Sequence, residues 1–370
     1  MKKLLLWAIH FLCILQIAQA QLDLLASANN PRATVSEEVG ITSITIKYSR
    51  PDVNKREGKI YGDGNPVTYG FSSGNFTTGK NNSPWRAGAN ECTTITFEHD
   101  VKVEGQAIKA GTYGIFMAMG TENVTIIFSK QTEAWGSFSY DEKDDVLRVN
   151  VKPVALDKSV EWLKYEFIEH KEKSCVIAMQ WEKVSVPFKV DVDVDNIVLA
   201  RIREELTSRK GFNPILVMSA AQYCFSKNIN LEEALVWSKK AVNGTGGQIT
   251  FVTLRNLATA YEKLNRVSEA DSVMNEALQI ATANQHTTYG RQLISQKRVD
   301  KAMEVFLASQ KRYGDVLGVN SGLMSGYSAK GKFMDAVKYA EMALKQTPNE
   351  AGKKVLEAQI AKLKEGKDIN

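Results

Sequence analysis

Four alanines, Ala234, Ala270, Ala302 and Ala336, recur 36, 32 and 34 residues apart in the second half of the chain. Other residue types recur in step with them. Leu257, Ala258 and Tyr261 precede Ala270, Met274 and Ala277; Tyr289, Gly290 and Leu293 precede Ala302 and Phe306; Leu323 and Tyr327 precede Ala336, Ala343 and Pro348. A looser first copy has Tyr223 and Ala234. Self-similarity of this length strongly restricts the fold. One copy is a pair of short helices that cannot bury its own apolar face, so successive copies must stack into a solenoid. The small residues let paired helices approach closely, and Tyr261, Phe306 and Tyr327 fill the space between pairs.

The period and residue types resemble the tetratricopeptide repeat, which spans about 34 residues. About four such repeats are expected over 212–370, with the lysine-rich helix Ala351–Lys364 as a solvating C-terminal cap. Residues 195–211 read as a connecting helix, Ile197–Leu206, and a linker. Before Asp195 the period is two. Ile44, Ile46 and Tyr48 alternate with Thr45 and Lys47, and Ile95 and Phe97 alternate with Thr94, Thr96 and Glu98. Further strands are predicted at Tyr113–Met119, Val124–Phe128, Val146–Val151, Leu163–Phe167, Cys175–Trp181 and Val184–Val190, separated by turn signals such as Glu104-Gly105 and Asp144-Asp145. The stretch Tyr61–Pro84, with five glycines and four asparagines, reads as a long irregular loop. The expected fold class is two domains: an all-β antiparallel sandwich or partly closed barrel over 21–194, then an all-α tetratricopeptide-type helical solenoid.

The first twenty residues read as a signal peptide. Lys2 and Lys3 precede the apolar run Leu4–Ile17, and Ala18-Gln19-Ala20 fits a small-x-small cleavage site, so the mature chain is expected to begin at Gln21. The apolar run is too short for the roughly twenty residues a transmembrane helix needs. No later stretch is apolar enough, so the mature chain is expected to have no transmembrane segment.

Composition excludes other classes. The chain is 44% hydrophobic and 24% charged, ordinary for a globular protein. Beyond the leader the cysteines are Cys92, Cys175 and Cys224; there is no CxxC motif, and single buried thiols are favoured over a Cys92–Cys175 bridge. His99, His170 and His286 never fall at metal-ligand spacing, so neither a metal nor a cofactor is expected. Residues 21–194 carry 20 Lys+Arg against 24 Asp+Glu, and residues 195–370 carry 25 against 18. This asymmetry is compatible with an acidic partner, although surplus surface lysine is the simpler explanation. The lysines are dispersed and the chain is expected to be exported, so nucleic acid is not indicated.

The unusual polar chemistry lies in the first domain. Arg50 and Arg56 follow a strand end; Trp85, Arg86, Asn90 and Glu91 lead into the Thr93–Glu98 strand; Trp135, Tyr140, Asp145 and Arg148 form a third group. Arginine forks suit carboxylates, phosphates or sugar hydroxyls, and tryptophan offers a stacking face. The same residues would equally make a buried ion-pair network pinning the long loop to the sheet. A nucleophile would need a base beside it, and the nearest pair, Cys92 and His99, is seven residues apart, which puts the two on opposite faces of a regular strand.

These residues also carry a resemblance. Tyr-Ser-Arg-Pro at 48–51, Trp-Arg-Ala-Gly-Ala-Asn-Glu at 85–91, Ala-Gly-Thr-Tyr at 110–113, Trp-Gly at 135–136, Asp-Val-Leu-Arg at 145–148 and Trp-Glu at 181–182 are similar to a bacterial exported family catalogued as domain of unknown function 2911. The likeness spans roughly 30–192, and a tetratricopeptide tail is a common companion of that domain. It implies the envelope of Gram-negative bacteria, hence the periplasm, and no established activity.

The expectation is a periplasmic accessory or scaffold protein. Its repeat array would hold a protein partner in the groove between stacked helix pairs, and its β-domain would bind a small-molecule or glycan ligand or brace a complex. The ligand-site candidates are Arg50, Arg56, Trp85, Arg86, Asn90, Glu91, Trp135, Asp145 and Arg148. The alternative is a carboxylate-dependent hydrolase of glycans or esters, with Glu91 and Asp145 as acid and base.

Overall fold

The computed structural model describes residues 30–75 and 82–370. The leader, its Gln21 cleavage point and residues 76–81 of the Tyr61–Pro84 loop lie outside the described residues. The chain divides into two compact units, one ending at Arg201 and the other beginning at Ile202.

Among its described residues the first unit has ten antiparallel strands in two sheets. One sheet runs β1(Arg32–Val39), β2(Thr42–Ser49), β3(Thr94–Phe97), β6(Gly111–Ala118), β7(Val124–Ser129), β8(Asp145–Val151). The other has the order β5(Gln106–Ile108), β4(Val101–Val103), β10(Ser174–Val192), β9(Val154–Lys171). Alternate residues of both sheets, among them Ile44, Ile46, Ile95, Phe97, Leu163, Ile177 and Phe188, meet in one buried core. Phe128 of the first sheet meets Phe188 of the second edge to face, with centroids 6.2 Å apart. Of the two architectures expected, this is the sandwich.

One expectation is corrected. Cys175–Trp181 and Val184–Val190 are a single strand, β10. Ile177, Met179 and Trp181 are buried at odd positions, whereas Val186, Phe188 and Val190 are buried at even ones. The change of phase is taken up at Glu182, whose φ is +53° and where the register with β9 shifts on both sides. A β-bulge adds one residue to a strand, so the apolar side chains change parity without the strand ending. A phase break in the sequence imitates a turn.

The Tyr61–Pro84 loop is anchored where it is described. Ile60 and Val67 are buried. Asn75, fully buried, accepts from the Thr68 N–H at 3.0 Å and donates to the carbonyls of Gly70 (3.1 Å) and Ser83 (3.0 Å). That amide satisfies three backbone groups of a segment that has little regular structure.

Helix α1(Val194–Thr207) follows, and the division between the units falls within it. The second unit then consists of α2(Pro214–Lys227), α3(Leu231–Asn243), α4(Phe251–Lys263), α5(Val267–Ile280), α6(Ala283–Ser295), α7(Val299–Tyr313), α8(Leu317–Ala329), α9(Phe333–Gln346) and α10(Glu350–Lys364). These are four antiparallel-type pairs and a final helix. Their starts are chemically marked: Asn213 caps α2 ahead of Pro214, and Thr250 and Thr282 form capping boxes at α4 and α6. The four repeating alanines are buried on α3, α5, α7 and α9. Phe306 of α7 occupies a slot that only glycine permits, because a Cβ at Gly290, Gly322 or Gly326 would collide with its ring. The array is a tetratricopeptide-type solenoid. Among the described residues no helix is long and apolar enough to cross a membrane.

Candidate functional site

The string Trp85–Glu91 makes a compact turn in which Ala87 and Asn90 both adopt positive φ (54° and 56°). The Ala87 carbonyl is held from two sides, by Thr93 Oγ1 at 3.1 Å and Tyr165 Oη at 2.9 Å. A Cβ at Gly88 would crowd the Thr93 hydroxyl and the Ser49 carbonyl, so the turn lies flat against the end of β2. Its effect is to deliver Glu91 to the cross-strand pair Arg32–Ser49.

Glu91 Oε1 accepts from Arg32 Nε at 3.1 Å and from Arg32 Nη2, and Oε2 accepts from Ser49 Oγ at 2.9 Å. Partial burial disfavours the charge, but the Arg32 fork, the backbone and Ser49 outweigh it, and the Glu91 carboxyl lies below the usual range. Glu91 also forms an isolated antiparallel bridge with Trp135. The bridge sets the Trp135 backbone alongside that of Glu91, and the tryptophan is 51% exposed. Asn90 belongs to the same corner, since its carbonyl accepts from the Gly136 N–H at 3.1 Å and its side chain from Asn30 at 3.2 Å. The pair opens on a groove of about 510 Å³ lined by hydroxyls and charges, including Thr34, Lys47, Thr94, Thr112 and Glu133.

Residues 30–190 match the family described as Protein of unknown function (DUF2911). The Trp85–Glu91 turn and the Asp145–Arg148 segment both lie within the matched DUF2911 region. Solved structures similar to the chain include the APC/C hetero-tetramer Cut9-Hcn1, with 16% identity, a TM-score of 0.31, 45% of this chain and 33% of that chain covered. MamA from Desulfovibrio magneticus RS-1 shares 17% identity at a TM-score of 0.27, over 43% of this chain and 95% of that one. YrrB, a TPR protein with an unusual peptide-binding site, shares 15% identity at a TM-score of 0.27, over 45% and 88%. The chain thus spans a third of the Cut9-Hcn1 chain and most of the other two. No curated protein sequence matches the chain.

Within the DUF2911 region the remaining candidates separate. Asp145, with its side chain 8% exposed, accepts from Tyr140 Oη (2.8 Å) and Arg148 Nε (2.7 Å), and the Arg148 guanidinium lies 5.3 Å from the Phe71 ring centre. Burial outweighs these bonds, so the Asp145 carboxyl lies above its ordinary range. This cluster stitches the segment after Trp135 to β8. Arg50 donates to the Leu163 carbonyl at 2.8 Å and braces β2 against β9. Arg56 closes its own turn through the carbonyls of Val53 and Asp52. Trp85 is not on the surface at all: it is 2% exposed and stacked on Trp181, with centroids 5.9 Å apart. Arg86 is largely buried, and desolvation lowers its basicity, with Cys92 opposing.

The guanidinium that holds Glu91 is that of Arg32. Sequence reading missed Arg32 and singled out Ser49 only as part of a strand end. Both are recognisable once the β1–β2 register is known, and that register is non-local information. The carboxylates of the hydrolase alternative, Glu91 and Asp145, share no hydrogen bond, and each is tied to a different arginine. Cys92 is packed among Phe116, Ile127 and Ala134, and burial pushes its thiol up to about 12. His99 meets Thr42 Oγ1 at 3.1 Å. A thiol with that pKa is not a nucleophile near neutrality. Cys175 and Cys224 are likewise free and buried.

Proposed function

We propose that the protein is an exported, periplasmic accessory scaffold with two binding sites. The helical array holds a protein partner, and the Glu91–Trp135 corner of the DUF2911 region holds a small polar ligand such as a glycan. The location rests on the Lys2–Ala20 pattern. The observation that carries the scaffold reading is the row of first helices. Along α2 and α4, and again along α6, α8 and α10, they leave open grooves of about 310 and 480 Å³ that no segment of the second unit fills. Stacked helix pairs create such extended surfaces, and proteins use them for binding.

The ligand reading rests on an ordered carboxylate–guanidinium pair that opens on a groove rich in hydroxyl side chains, and on a half-exposed tryptophan whose backbone bridges to the same Glu91. An indole face takes the C–H face of a sugar, and fixed charged groups take its hydroxyls. A photo-crosslinking residue placed at Thr288, in the groove, and in a second protein at Met334 of α9, an exposed position that lines neither groove, tests the scaffold reading. Partner adducts in the native envelope from position 288 and not from 334 are expected. Equal labelling from both positions overturns groove binding.

A further inference from the structure

Arginines of the helical array fall into two groups. Arg203, Arg266 and Arg298 each meet a carboxylate, those of Glu233, Glu269 and Asp271. Arg291, Arg255 and Arg312 meet neutral groups instead, Arg312 through the Leu278 and Gln279 carbonyls on the second-helix side of the array. Arg291 of α6 donates from Nε to Ser325 Oγ at 3.1 Å and from Nη2 to the Ser321 carbonyl at 3.4 Å, both on α8. Arg255 of α4 donates to Gln292 Oε1 on α6. These bonds step from one first helix to the next, along the row that borders the grooves.

Neither groove has an Asp or Glu among its lining residues. The groove of Arg291 presents Asn284, Thr288, Ser321 and Gln359 with the exposed Val355. The groove of Arg255 presents Gln222, Asn256 and Thr259 with the exposed Val252. Arg291 is open to solvent, yet the walls crowd it enough to lower its basicity by desolvation, with no charged group contributing. Arg255 is felt at range by Glu262, further along α4, which Arg298 and Lys301 also influence, and no ion pair joins the two.

A guanidinium fixed by neutral bonds, on a groove whose lining holds no carboxylate, keeps its field and its remaining donors available to a ligand. Low-dielectric walls focus such a field, and the planar fork matches a carboxylate bidentately. The net charge of this half of the chain has the same sign, with 25 Lys+Arg against 18 Asp+Glu over 195–370. Side-chain amides along the same grooves suit the N–H and C=O groups of an extended backbone.

We propose that this face of the array binds an extended peptide segment rich in Asp and Glu, with Arg291 and Arg255 as its anion contacts. The assignment rests on the scaffold reading above and specifies the chemistry of the partner. The test is selection of a random linear peptide library on the full mature chain. Enriched peptides are then synthesised and their affinity measured by fluorescence anisotropy at low and high salt. Acidic peptides whose binding weakens with salt are expected. Arg291→Gln, which keeps a donor at the Nε position for Ser325 but removes the charge, should weaken them about tenfold or more while leaving the urea midpoint nearly unchanged. Arg291→Lys should retain part of the affinity. Neutral or basic winners, or acidic winners that bind Arg291→Gln and Arg255→Gln as well as wild type, overturn the assignment. Failure of any peptide to enrich also overturns the assignment, whereas failure of the scaffold reading on which it rests shows separately, as equal crosslinking inside and outside the groove.

Discussion

Glu91 and Trp135 are cross-strand partners in an isolated bridge, and the same Glu91 carboxylate accepts from Arg32 and Ser49 at the start of the β1–β2 ladder. One residue therefore joins three segments that are distant in sequence, by its carboxylate to the β1–β2 hairpin and by its backbone to Trp135. Trp135 remains half in solvent, whereas Trp85, which opens the string that ends in Glu91, is sealed in the core.

That contrast separates two substitutions. Trp85→Ala removes a buried ring stacked on Trp181 and should cost about 3–5 kcal/mol of stability, as large core truncations do. Trp135→Ala should stay within about 0.5 kcal/mol, as exposed positions usually do, and abolish binding of a soluble glycan that quenches wild-type tryptophan fluorescence. Equal urea midpoints for Trp85→Ala and wild type would contradict the stacked core.

The Glu91 carboxyl is lowered in the folded state, so its contribution to stability is present above its unfolded value, roughly 4.3, and is lost as pH falls through the folded value. The stability difference between wild type and Glu91→Gln should be largest near neutrality and shrink steadily below about pH 4. Urea unfolding at a series of pH values measures it. A difference constant down to pH 3 would mean that the charge is not what Arg32 and Ser49 recognise.

Arg148→Ala leaves the nearly buried Asp145 without its cation. The cost should be about 1–3 kcal/mol, between the few tenths of an exposed pair and the 3–5 of a fully buried one. Asp145→Asn should cost less, since burial already favours the uncharged carboxyl and Tyr140 and Arg148 can still donate to the amide oxygen. Chemical denaturation of the two variants would show the opposite order if the ion pair were solvent-screened.

In the solenoid, Gly290→Ala gains helix propensity of up to about 1 kcal/mol but drives a Cβ into the Phe306 ring. Phe306 is itself 1% exposed and also bordered by Gly322 and Gly326, so it has nowhere to go. A net loss of about 1–3 kcal/mol is expected, as for other overpacked cores, with partial rescue by Phe306→Leu. A neutral single mutant would show that the slot is loose.

A fragment of residues 21–194 should fold alone with β-type circular dichroism, and one of 212–370 with helical dichroism. Each has its own buried core, the sandwich core in one and clusters such as that of Met324, Ala340 and Leu356 in the other. Unfolded fragments that regain structure only as the whole chain would make the two a single cooperative unit.

The helical half was legible in the sequence because its information is local. The spacing of Ala234, Ala270, Ala302 and Ala336 and the caps at Asn213, Thr250 and Thr282 act within one helix or between neighbouring helices, a few tens of residues at most. The alternation of Ile44 with Ile46 and of Ile95 with Phe97 likewise specified strands and their buried face. Only the tertiary structure decided that β10 continues through Glu182, because a bulge and a turn produce the same break of period and differ only in whether the partner strand β9 is still alongside. Only the tertiary structure could pair Arg32 with Ser49 and bring Glu91 to both, or send Trp85 inward and Trp135 outward from one family motif set. Those outcomes depend on register between strands dozens of residues apart, and a one-residue slip would exchange every inward and outward side chain.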